Sequence, residues 1–154
     1  MLNDKWNLAA NNALICAVLG WFLAQFLKLL FTAAREHRFS ITFLWVSGGM
    51  PSSHAATVCA LSMAMAFEKG LGSLEFAISF VLAFIVMYDA LGVRRAAGEQ
   101  AKVLNRIVAE FEAGHAVNFG KELKELIGHT PIQVYAGAFL GIAITAIWYL
   151  TFAK

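Results

Sequence analysis

Charge is what this 154-residue chain has least of: 14% of its residues are Asp, Glu, Lys or Arg, against 60% that are hydrophobic. A soluble domain carries about 25% charged residues, so the composition points to a bilayer as solvent. The net charge of +2 is too small to make nucleic acid a partner. Cysteine is nearly absent as well. Cys16 and Cys59 stand singly in apolar stretches, without the CxxC or His spacing of a metal or redox pair, and read as packing residues. No metal or other cofactor is expected. The N-terminal residues lack the basic region and cleavage site of a signal peptide, so the long apolar run that follows reads as a retained first span.

What is present in quantity is long apolar sequence. A crossing takes roughly 20 mostly apolar residues through a hydrocarbon core about 30 Å thick, and this length allows four or five. Asn12 to Ala34 is the first, interrupted in polarity by Gln25 and Lys28. Phe39 to Val46 is too short to span and runs into glycines and Pro51, which suits a re-entrant or interfacial piece. A helix from about Ser53 to Phe67, rich in Ala, Ser and Met, is small enough in profile to sit at the centre of a bundle. After a turn at Glu68 to Ser73, Leu74 to Leu91 supplies another span, and Thr130 to Phe152 the last. Between them, Glu99 to Glu112 is amphipathic: Val103, Leu104, Ile107, Val108 and Phe111 share one face, while Lys102, Arg106 and Glu110 repeat every four residues. The expected fold is all-α, a polytopic transmembrane helix bundle with about four spans in one domain over residues 1–154, with a re-entrant or interfacial segment and an amphipathic loop helix.

Arg35, Arg38 and the cations between Arg94 and Lys124 lie in the segments that the positive-inside rule assigns to the cytoplasm. Both termini then lie outside. In this arrangement Lys28, the start of the Ser53 helix, Arg94, Arg95 and His129 come to one membrane face.

Only two prolines occur, and each opens a helix. In Gly48-Gly49-Met50-Pro51-Ser52-Ser53-His54, glycines permit a tight turn and the new helix presents unpaired amides at its positive end, the outline of an anion site. Ser52 or Ser53 can cap the helix or donate to an oxyanion. An ordinary capped helix start with an interfacial histidine fits the same segment. His129, before Thr130-Pro131, occupies a similar setting. A lone interfacial histidine is usually structural, but two at helix starts on one face suit an acid and a nucleophile for phosphoryl transfer. Lys28, Arg94 and Arg95 are candidate phosphate ligands. Lys28 could equally snorkel to the headgroups, and the arginines could bind anionic lipid. Asp89, at the end of an apolar span, needs a partner and is placed to orient an arginine.

These residues resemble the type 2 phosphatidic acid phosphatase superfamily, which includes vanadium haloperoxidases, and in particular its divergent membrane branch. GGMPSSH resembles the family's Pro-Ser-Gly-His motif with Ser53 in the glycine position; GHTPIQVYAGAFLG resembles the segment of its second histidine; YDALGVRRAAGEQAKVLN is the part most similar to the divergent branch. The resemblance implies that His129 is a nucleophile forming a phosphohistidine, that His54 is the general acid, and that Lys28, Ser52, Ser53 and one or both arginines hold phosphate. Where the family has an acidic residue four positions after its nucleophile, this chain has Gln133, whose carbonyl would orient the ring. Where the family has an arginine six positions before it, this chain has Leu123.

The expected function is metal-independent hydrolysis of a lipid phosphate: phosphatidylglycerol phosphate, phosphatidic acid, or a polyprenyl phosphate or diphosphate. The expected partners are the lipid substrate and the bilayer, with homo-oligomerisation left open. The expected location is a bacterial inner membrane with the site at its cytoplasmic face. Two rivals stand beside this reading: a non-catalytic lipid-phosphate binder or carrier, and a purely structural bundle.

Overall fold

The computed structural model describes residues 11–36, 49–114 and 129–152. They form five helices, with no strand among them: α1 (Asn12–Glu36), α2 (Ser53–Lys69), α3 (Leu74–Leu91), α4 (Val93–Gly114) and α5 (Pro131–Thr151). Three of these are long and apolar enough to cross a membrane: α1 over Asn12–Ala34, α3 and α5. The shorter α2 packs against all three and forms the centre of the bundle. The re-entrant or interfacial segment expected at Phe39 to Val46 lies outside the described residues.

Local chemistry sets the helix ends. Asn11 Oδ1 accepts the Leu14 amide at 2.9 Å and opens α1. Gly70, at a φ of 83°, ends α2 in a conformation that strains any residue with a Cβ. Three residues later the Ser73 hydroxyl accepts the Phe76 amide at 3.1 Å and opens α3.

The interior is built of small residues and the exterior of large apolar ones. Ala13, Ala24, Ala56, Ala60 and Ala64 are buried, whereas Phe22, Ile78, Phe84, Tyr135 and Phe139 are exposed. Water would penalise such a surface heavily, and lipid does not, so the driving force inside is close packing. Glycine makes the packing closest. A Cβ added at Gly141 would strike the Ala56 carbonyl and lie 2.9 Å from the Ala60 nitrogen; one at Gly20 would lie 3.1 Å from the same Ala56 oxygen. The α2 backbone is therefore clasped between α1 and α5.

Direction follows from these contacts. Gly20 meets Ala56 and Ala60 while Ala13 and Cys16 meet Ala64, so α1 runs antiparallel to α2. Gly141 meets Ala56, and the Thr145 hydroxyl donates to the Ala60 carbonyl at 3.2 Å, so α5 runs parallel to α2. The N-termini of α2 and α5 consequently share one end of the bundle.

The amphipathic helix starts earlier than its charge spacing indicates, at Val93 instead of Glu99. Ala96 and Ala97 favour helix, and one glycine at position 98 does not interrupt it. Arg94 and Arg95 are thus in the first turn of α4, separated from α3 by Gly92 alone, and not in a loop. Val103, Leu104, Ile107 and Phe111 are exposed along α4.

Candidate functional site

The site is assembled where α2 and α5 begin. Ser52 is wholly buried and caps α2, its hydroxyl accepting the Ala55 amide at 3.5 Å. A hydroxyl that accepts in this way still has a proton to donate. The Ser52 amide, in turn, donates to the Gln133 carbonyl at 3.0 Å, a bond across 81 positions of sequence that ties the Pro51 turn to the first turn of α5. Gly137 makes that tie sterically feasible, because a Cβ there would strike the Ser52 carbonyl oxygen and lie 3.1 Å from its carbon and nitrogen. Beneath the turn, Ala55, Ala90 and Val134 form a small apolar floor.

His129 is buried, at 4% exposure, immediately before the N-cap residue Thr130. Its Nδ1 lies 3.2 Å from Gln133 Oε1, and the same oxygen accepts the Thr130 amide at 3.0 Å. An amide N–H can only donate, so the Gln133 atom that faces it is the oxygen. Hence Nδ1 of a neutral His129 carries the hydrogen and Nε2 carries the lone pair. One glutamine carbonyl serves helix capping and ring orientation together.

Lys28 is at 4% exposure, about 12 Å of helix short of the end of α1. It does not snorkel to the surface. Its stem passes over Gly49, whose φ is 87° and where a Cβ would lie 3.2 Å from Lys28 Cγ and 3.4 Å from Cδ. The lysine therefore packs on the turn that leads into α2. Ser53 is buried in the first turn of α2, and the carbonyl of Ser53 accepts the Thr57 hydroxyl at 2.7 Å. His54 follows in the same turn and is exposed. Asp89 is half-buried beside Ala90, which contributes to the floor. The side chains of Arg94 and Arg95 lie outside the described residues, as does Gly48.

Charge of both signs meets at this end, where the C-terminal ends of α1 and α3 and half-buried Asp89 lie with the starts of α2 and α5. Two helix N-termini, each equivalent to roughly half a positive charge, lie side by side with a buried lysine next to them. A helix start with a buried lysine beside it favours an anion, and a serine hydroxyl can donate to its oxygens. The small residues of α2 were legible in the sequence, whereas Gly20, Gly137 and Gly141, which receive the α2 backbone, were missed. Gly137 and Gly141 form a G-x-x-x-G spacing in an apolar helix, a signal of close helix approach that was open to reading.

An all-helical membrane protein in which two helix starts meet beside a buried lysine is the class that this fold and this site define. The family model described as the Divergent PAP2 family matches residues 9–144, and the chain belongs to that family. It is also 40% identical over 150 residues to an uncharacterized membrane protein of Bacillus subtilis (strain 168), YuiD, with 91% of this chain and 95% of that protein covered. No solved structure matches the chain significantly.

Proposed function

We propose that this protein hydrolyses a lipid phosphate monoester or diphosphate, taking phosphatidylglycerol phosphate, phosphatidic acid or a polyprenyl phosphate from the membrane. His129 Nε2 attacks phosphorus and forms a phosphohistidine, while the bond from phosphorus to the leaving oxygen breaks. His54 protonates that oxygen, and water then cleaves the phosphorus–nitrogen bond. Lys28, Ser52, Ser53, Arg94 and Arg95 stabilise the charge on the transferring phosphoryl oxygens. Asp89 holds an arginine in place.

The observation that carries this reading is the double use of Gln133 Oε1, which leaves the Nε2 lone pair of a buried imidazole at the start of α5. A nucleophile needs that tautomer. A neutral amide supports the developing imidazolium less than a carboxylate would, and this favours a second reading in which the pocket binds lipid phosphate without cleaving it.

The test incubates detergent-purified protein with a panel of phospholipid and isoprenoid phosphates, with and without chelator, beside His54→Ala and His129→Ala variants. Phosphate release that survives chelation and disappears in His129→Ala supports hydrolysis. Tight binding with turnover no greater than that of His129→Ala replaces it with the binding reading. We place the protein in a bacterial inner membrane with the site at the cytoplasmic face. A C-terminal topology reporter that registers in the cytoplasm would reverse that orientation.

A further inference from the structure

Among the described residues, two apolar cavities beside the bundle core differ in their relation to the site. The larger, about 400 Å³, opens between α2, α3 and α5 and is lined by Cys59, Phe80, Met87, Ala138 and Ile142 among others. Its α3 wall ends at Met87, which packs on Ala55, Ala90 and Val134 below the site, but no wall comes from α1 or from the Pro51 turn. The smaller, about 220 Å³, lies between α1 and α5, and its walls include Leu27, Phe31, Pro51, Ala136, Phe139 and Ala143. Three elements build this cavity and the phosphate site together. On α1, Leu27 precedes Lys28; in the turn, Pro51 precedes Ser52; on α5, Ala136 is one helical turn beyond Gln133. Phe31 and Phe139 are exposed at the mouth, so the cavity opens toward the surrounding lipid.

We infer that the α1/α5 cavity is a groove for one hydrocarbon chain of the lipid whose phosphate is held at Lys28, Ser52 and His129. This rests on the lipid-phosphate reading above and adds how the substrate is seated. Ala136 and Ala143 are seven residues apart on one helix, roughly 10 Å along its axis, and their small side chains create the trough. The groove takes the segment of the chain nearest the headgroup, while the remainder stays in the bilayer. The substrate enters sideways from its leaflet and need not leave it.

The test fills the trough. Ala136→Leu and Ala143→Leu are compared with Ala77→Leu, which adds the same bulk at an exposed position of α3. Each protein is assayed with a long-chain phosphatidic acid in mixed micelles and with a short-chain, water-soluble one. The groove variants are expected to lose about tenfold in kcat/KM for the long chain and less than about twofold for the short one, with Ala77→Leu near wild type for both. Equal changes for the two substrates, or none, would overturn the groove while leaving the phosphatase reading intact. If wild type hydrolyses neither substrate, equilibrium binding of the same two lipids decides separately. Weaker binding of only the long chain in the groove variants upholds the groove without catalysis. Failure of wild type to bind either lipid overturns both proposals.

Discussion

The two ends of the bundle are joined by different kinds of described contact. At the end away from the site, side chains satisfy one another: the Tyr149 hydroxyl donates to Glu68 Oε1 at 2.7 Å, and Trp148 Nε1 donates to Asn12 Oδ1 at 3.4 Å. Phe67 and Tyr149 stack with ring centroids 4.9 Å apart. These contacts staple the C-terminal parts of α2 and α5 to each other and α5 to the start of α1. At the site end, described bonds involve the backbone as well, joining the Ser52 amide to the Gln133 carbonyl and the Thr130 amide to Gln133 Oε1, which also faces His129 Nδ1. They fix the positions of two helix starts. One end is closed by pairs of side chains; at the other, backbone and side chain together set two helix starts beside a buried lysine.

That contrast can be broken at either end. The largest effect is expected from His129→Ala, which removes the proposed nucleophile and should lower turnover at least about a thousandfold in protein that is still folded at the assay temperature. Gly137→Ala should damage the site without altering any reacting group. Its methyl meets the Ser52 backbone, which cannot move aside as a flexible side chain would, so stability should fall by about 1–3 kcal/mol together with activity. Denaturation in detergent and phosphate release, measured on one preparation, check both halves.

Gln133→Met separates orientation from packing. Losing the carbonyl should reduce kcat by about one to two orders of magnitude with little change in KM, whereas Gln133→Glu keeps an acceptor for both donors and should retain activity. Equal losses in the two variants would remove the orienting role. The smallest effect is expected at the far end. Tyr149→Phe should cost about 1 kcal/mol of stability and leave kcat/KM unchanged. A clear loss of activity there would show that the two ends are coupled and not independent.

Elements whose cause is local were legible in the sequence. Apolar runs located α1, α3 and α5 because each crosses by length and hydropathy alone, and Gly70 and Ser73 marked the turn between α2 and α3. The start of α4 was not, since nothing between Leu91 and Val93 except Gly92 separates two helices that could have been joined by a loop. For the site, residue types were visible and their adjacency was not. Pro51-Ser52-Ser53-His54 and His129-Thr130-Pro131 each read as a helix start, but the bond from Ser52 to Gln133 depends on two segments far apart in the chain. Lys28 shows the same limit, because a lysine that snorkels and one that packs on Gly49 have the same sequence surroundings.

Composition and hydropathy by themselves determined that this protein is a helical bundle in a membrane, because helix formation and the choice between lipid and water depend on short stretches and their averages. Tertiary structure decided that α2 and α5 run parallel, that their starts lie side by side over a buried lysine, and that Gly137 lets one backbone rest on the other. Those are properties of distance between remote segments, fixed by steric fit in a close-packed interior, and no local pattern of residues encodes them.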